Sequence, residues 1–240
     1  MLDIKLNGSL RPEIVVVGDE RTPVIVIDEP IVTPKELIQY ACTRAEFKPD
    51  EKVAYPGVRA ELPREYMETL LPDLVTLIYE IYKLPPSYTC DLVLAVFSLI
   101  TRQPENLAPL QRIPHYDTHS RNYFATVHYL NPGNFAGTGI FRHRPTGYER
   151  LSKDRFQEYV RAAESHMKAN GLPAAAYISS SDDHYELVAE IKYRPNRLVL
   201  YPGNLLHSPL VQAPRDINGD PATGRLTANL FMEFSARWSR

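Results

Sequence analysis

Cysteine is scarce in this chain of 240 residues: there are two, Cys42 and Cys90. Two thiols in separate predicted elements build neither a disulfide framework nor a cysteine-rich zinc site, and a reducing compartment is the default. An excess of charge is lacking as well. With 27 basic against 29 acidic side chains and a formal net charge of −2, no basic stripe is available to neutralise phosphates, so nucleic acid is not an expected partner. No apolar run approaches the roughly 18 residues of a membrane span. The opening MLDIKLNGSLRPE has neither the basic nor the apolar segment of a secretory signal. The expectation is a soluble, cytoplasmic protein without a membrane partner. No heptad and no conspicuous apolar patch is legible, which leaves the oligomeric state open.

What is present is ordinary globular composition, 44% hydrophobic and 23% charged, in a chain long enough for a substantial core. EIVVVGDERTPVIVIDEPI at 13–31 predicts strand, turn and strand, with Gly18 and Pro23 in the turn. Thr33 as N-cap and Pro34 at the first helical position predict a helix to about Thr43. Leu71, Leu74, Leu77, Ile78 and Ile81 recur at helical spacing, predicting a second helix from near Pro72 until Pro85 and Pro86 stop it.

From Ser87 onward strands dominate: TCDLVLAVFSLIT, YFATVHYLN and GTGIFRH, then RLVLYPG, LLHSPLV and RLTANLFMEF. One helix interrupts them, from Ser152 to about Asn170, with Gly171 as its stop. The 21 prolines are scattered and no linker or repeat is visible. The reading is one domain over residues 1–240, with strands and supporting helices in 1–86 and a mainly β core in 87–240.

The candidate chemistry starts at RIPHYDTHSR, residues 112–121. His115 and Asp117 are two apart, so on an extended segment both side chains point to one face and reach one ion. The pair alone is a common coincidence. YPGNLLHSP at 201–209 supplies a third ligand in His207, placed where a strand begins. Two imidazoles and one carboxylate form the facial triad that holds iron(II) and leaves coordination positions open.

In these residues the chain resembles the iron(II) and 2-oxoglutarate dependent oxygenases, and within them the prolyl-hydroxylase-like branch. The cues run in order over 112–234: IPHYD, VHYLN, AGTGIFRH, RPNRLVLYPGNLLHS and RLTANLF. The resemblance implies a double-stranded β-helix, the jelly-roll also found in cupins, with His115, Asp117 and His207 as metal ligands at one open end. It implies that Arg225 and Thr227 grip the far carboxylate of 2-oxoglutarate, a role suited to a forked guanidinium and a hydroxyl on the same strand face. Tyr129 would add a hydroxyl to the same cosubstrate. The implied reaction consumes O2 and 2-oxoglutarate, releases succinate and CO2, and hydroxylates a C–H bond of an amino-acid-like, peptide or natural-product substrate. Desaturation and ring closure use the same ligands, whereas the carboxylate of Asp117 disfavours halogenation.

One departure concerns the anchor. The family's arginine usually follows the distal histidine by about ten residues, and Arg225 follows by 18, across QAPRDINGDPATG. That stretch reads as a loop insertion. Arg215 competes, but it lies among turn residues while Arg225 opens an apolar strand. His119 and His128 have a structural reading beside a functional one, and His143 is a candidate to touch substrate. Tyr123, Asn122 and Arg121 are candidate pocket residues. Two other classes remain: a cupin-like module that binds metal or an anion without turnover, and a zinc hydrolase with the same three ligands.

Overall fold

Alternation along the β-branched runs creates two-sided strands, and the fold uses both sides. In a computed structural model, which describes residues 2–49 and 55–236, the chain is mainly β, with two antiparallel sheets and three α-helices among the described residues. The strands are β1 (Pro12–Val17), β2 (Thr22–Asp28), β3 (Lys48–Pro49), β4 (Gly57–Glu61), β5 (Tyr88–Ile100), β6 (Tyr123–Tyr129), β7 (Thr138–His143), β8 (Tyr185–Ile191), β9 (Arg197–Pro202), β10 (His207–Pro209) and β11 (Thr227–Ala236). The helices are α1 (Pro34–Thr43), α2 (Arg64–Tyr82) and α3 (Lys153–Asn170).

The large sheet runs β1-β2-β9-β6-β11-β5-β4-β3 and the small one β10-β7-β8. From β5 on, the chain passes between them: β6, β9 and β11 join the large sheet, and β7, β8 and β10 the small one. The segment around His115 extends the small sheet through a bridge to His207. This arrangement is compatible with a cupin-like fold.

One face of the large sheet carries Ile25, Ile27, Phe97, Leu99, Leu198, Leu200, Leu230, Met232 and Phe234 into a core shared with α1 and α2. The opposite face, with Val24, Val26, Val199 and Tyr201, meets Ile140 and Leu205 of the small-sheet side. Helix α3 lays Tyr159 and Ala163 over Phe141, Tyr185 and Leu206. No helix among the described residues is long and apolar enough to cross a membrane.

Helices α1 and α3 fall where the sequence places them, although neither Thr33 nor Ser152 makes a side-chain cap bond. Helix α2 corrects the sequence reading: it begins at Arg64, and Pro72 lies inside it. Proline lacks an amide and frees a carbonyl one turn earlier. Pro72 is on the exposed face, the side on which a freed carbonyl costs least, while Tyr66, Leu70, Leu74 and Ile78 form an unbroken buried stripe beneath. Pro23, expected in the first turn, falls within β2, outside the Ile25–Asp28 stretch that pairs with β9.

Candidate metal centre

The ligand segment is held by backbone pairing. The His115 amide donates to the His207 carbonyl (2.9 Å) and the His207 amide donates back to His115 (2.8 Å). Two residues on, the Asp117 amide donates to the Gly203 carbonyl (2.6 Å). A Cβ at Gly203 would lie 2.5 Å from the Tyr123 ring and 3.4 Å from the Asp117 Cβ, so this close approach needs glycine.

The result is a three-residue cluster: ligand atoms of His115, Asp117 and His207 lie within 4.8 Å of one another. The histidine ring centroids are 4.3 Å apart, and His115 Nε2 is 4.0 Å from Asp117 Oδ1. His207 Nδ1 lies 2.8 Å from the Leu205 carbonyl. A proton on Nδ1 donates there, which leaves Nε2 as the lone-pair donor for an ion. Half of the His115 side chain is open to the cavity. Desolvation, then His207 and Arg59, push its pKa well below the usual imidazole value. Burial raises the Asp117 pKa, opposed by His207 and Arg59. The His115 lone pair is thus kept for a cation, and a cation offsets the cost of desolvating the carboxylate.

These three residues open on a cavity of about 380 Å³. Arg225 lines it too, and it is 4% exposed. Its Nε donates to the Ala136 carbonyl (2.8 Å) and Nη2 to the Gly137 carbonyl (3.3 Å). Its Cζ stands 5.3 Å from the Tyr129 ring centroid. Among the described residues no carboxylate lies within ion-pair distance of it, so a buried positive charge faces the cavity without a protein counter-charge.

Thr227 and Asn229 share that wall. Asn229 Nδ2 donates to Thr227 Oγ1 (3.1 Å) and Ser98 Oγ (2.9 Å). Tyr129, expected to aim its hydroxyl at the cosubstrate, instead bonds Thr138 Oγ1 at 2.7 Å, and Thr138 is the residue that lines the cavity. Arg215 is elsewhere. Exposed, it donates through Nε to Asp216 Oδ1 (2.9 Å) and is not among the lining residues.

The other histidines separate cleanly. His128 is fully buried on the helix side, between the Tyr66 hydroxyl (3.0 Å) and Asn196 Oδ1 (2.9 Å), and burial lowers its pKa to about 4. His143, the candidate for substrate contact, is instead packed between Tyr159 and Tyr185 with Nδ1 on Thr146, away from the cavity. His119 packs between Tyr116 and Phe156, also outside the lining. Of the three neighbours 121–123, Tyr123 lines the cavity, and Arg121 and Asn122 do not.

Sequence reading missed Arg59, Tyr201 and Asp216. Arg59 sits on β4, lines the cavity and lies 4.3 Å from the Tyr55 ring centroid. Tyr201 packs its buried ring at a tilt against His207, with centroids 4.6 Å apart, and its place two residues after Val199 on the inward face of β9 was a usable signal. Asp216 is wholly buried, and its Oδ2 accepts from the amides of Gln212 (2.9 Å) and Ala136 (3.3 Å). It therefore fixes the strand entrance whose carbonyls hold Arg225.

HygX from Streptomyces hygroscopicus, solved with nickel, 2-oxoglutarate and hygromycin B bound, is similar at a TM-score of 0.49 and 11% identity, covering 89% of this chain and 83% of its own. An N-substituted L-amino acid dioxygenase from Burkholderia ambifaria is similar at a TM-score of 0.42 and 13% identity, with 96% of each chain covered. At these scores neither likeness bears on what this chain binds. No curated protein matches the sequence. A family described as a family of unknown function, DUF6445, matches residues 9–232, and the chain belongs to it.

Proposed function

We propose that the protein is an iron(II)- and 2-oxoglutarate-dependent oxygenase, built as one double-stranded β-helix domain with N-terminal helices on its large sheet, that hydroxylates a C–H bond of a small-molecule or peptide substrate. One observation carries the reading: a two-histidine, one-carboxylate cluster and a buried arginine without a carboxylate partner open on the same cavity. The chain order supports it, since strands from β5 onward are dealt between two sheets, with His207 on the small one, His115 bridged to it and Arg225 just before the central β11.

The donor set fits iron(II), which two neutral imidazoles and a carboxylate bind without filling its coordination sphere. The charge pattern fits 2-oxoglutarate, whose far carboxylate finds the guanidinium of Arg225 with the Thr227 and Thr138 side chains beside it. Iron(II) and 2-oxoglutarate bound there supply O2 activation coupled to oxidative decarboxylation, giving succinate, CO2 and an oxidised product. The chain's own share is geometric. Backbone pairing fixes His115 against His207, the Leu205 carbonyl sets the His207 tautomer, and Tyr201 walls off one side.

The test is an anaerobic iron(II) titration with 2-oxoglutarate, following the weak visible charge-transfer band of the chelate in the native protein, Asp117→Ala and Arg225→Ala. A band in the native protein, lost in Asp117→Ala and weakened in Arg225→Ala, is expected. No band in fully metallated native protein sinks the oxygenase and leaves a binding module or a zinc site.

A further inference from the structure

We propose that the part of the cavity beyond the metal cluster receives an apolar, ring-bearing substrate that carries no positive charge near the carbon to be oxidised. The inference rests on the oxygenase reading and concerns the chemistry of its substrate.

Along β11 the cavity-facing residues follow every second position: Arg225 just before the strand, then Thr227, Asn229 and Phe231. That run covers about 20 Å at the rise of an extended chain, and its character changes along the way. At the Arg225 end the neighbours are polar: Thr138, Thr227, Ser98 and Asn229. At the other end Phe231 faces Leu94 across the strand pair, and its ring is 6.3 Å from that of Tyr123. Asp117 belongs to this boundary, because a Cβ at Gly203 would meet both Asp117 and Tyr123.

Alternation along β5 adds to the apolar wall. Leu94 shares the cavity face with Ser98, four residues on. The register of β5 against β11 shifts between Phe231 and Met232, and past that bulge Leu92 returns to the helix-side core, so Leu94 closes the cavity wall on β5. Leu94 is 36% exposed and Leu110, also lining, is 69% exposed, so the apolar surface continues to the mouth.

Charge points the same way. Among the described residues lining the cavity, the single carboxylate is Asp117, which belongs to the metal cluster, while Arg59 and Arg225 are cations. An ammonium group entering here loses water and finds, among the described lining residues, no carboxylate outside the metal cluster. An aromatic or alicyclic ring gains Phe231, Tyr123 and Leu94.

The experiment is calorimetry on nickel-loaded protein saturated with 2-oxoglutarate, titrated with 3-phenylpropionate, 2-phenylethylamine and glucose. The expected order is 3-phenylpropionate tighter than 2-phenylethylamine by about tenfold or more, with no heat from glucose. Leu94→Glu, at a side chain already part-exposed, should bring 2-phenylethylamine ahead, and Leu94→Gln should weaken both phenyl probes without exchanging them. The proposal is overturned by 2-phenylethylamine binding as tightly as 3-phenylpropionate, by Leu94→Glu leaving the order intact, or by neither phenyl probe binding while 2-oxoglutarate does. Failure of 2-oxoglutarate itself to bind sinks the oxygenase reading instead, and the phenyl order, measured without it, still decides the apolar mouth.

Discussion

The two faces of the large sheet are made by the same strands, and they have opposite chemistry. On β11, Ala228, Leu230, Met232 and Phe234 enter the helix-side core, while Thr227, Asn229 and Phe231 alternate with them into the cavity. Strand β5 does the same with Phe97 and Leu99 against Ser98. One face is hydrocarbon apart from the buried His128 and provides most of the cohesion. The other tolerates hydroxyls, an amide and the guanidinium groups of Arg59 and Arg225 because its neighbour is a cavity. The lesson is that stability and binding should separate by residue parity.

The strongest challenge to that separation is Phe97→Ala. Truncating a fully buried ring on the helix side should cost about 3–5 kcal/mol in urea unfolding, with iron(II) and 2-oxoglutarate affinities retained in the fraction that stays folded. A large loss of affinity at unchanged stability would break the comparison.

His128 sharpens it next, through pH. Its pKa is about 4 in the folded chain against 6.5 as reference. Between those values the unfolded state holds more protons, so stability rises with pH across the window and is lost as pH falls from 6.5 toward 4. The loss from this residue is on the order of 3 kcal/mol. His143, also lowered to about 4, and His115, lowered well below the usual imidazole value, add parallel slopes, so His128→Gln should remove about a third of the acid sensitivity measured by denaturation at several pH values. An unchanged slope would contradict the neutral, core role of His128.

Asp216→Asn tests the cavity side. Weakening the acceptor of the Ala136 amide should loosen the carbonyls that hold Arg225 and reduce 2-oxoglutarate affinity by about tenfold, near 1.4 kcal/mol. Metal affinity, read separately by titration, should not move, and Asp216→Glu should restore part of the loss. Thr227→Val is the smallest change. It should weaken 2-oxoglutarate a few-fold, about 1 kcal/mol, with the unfolding midpoint nearly unchanged.

Much of this division was legible in the sequence because it rests on short-range periodicity. The β-branched runs of β1 and β2, the Pro34 start of α1 and the Gly171 stop of α3 are local signals, and His115 and Asp117 share a face by spacing alone. What was hidden depended on distant partners. The turn residues 212–224 read as an insertion, yet Asp216 within them is fully buried. Pro72 suggested a helix boundary because no local rule reveals which side of a helix will be wet. Strand β4, GVRAE, is too short and mixed to stand out, so Arg59 passed unnoticed. Strand β8, YELVAEI, was likewise unread, having only its two ends well buried.

The bridge between His115 and His207 has a consequence for how the protein matures. The two histidines meet only after a strand late in the chain has paired with a segment from its middle, through backbone bonds in both directions. Non-local pairing of this kind forms late and slowly. A chain still emerging from the ribosome, with residues from 207 onward not yet released, has two of the three clustered residues and nothing to hold them in register. On the proposed function, metal acquisition would follow folding, unlike a zinc finger in which the ion organises the chain. The ion would act as a clasp on a finished sheet edge, and amide hydrogen exchange at His115 and His207 should then slow when iron(II) is added.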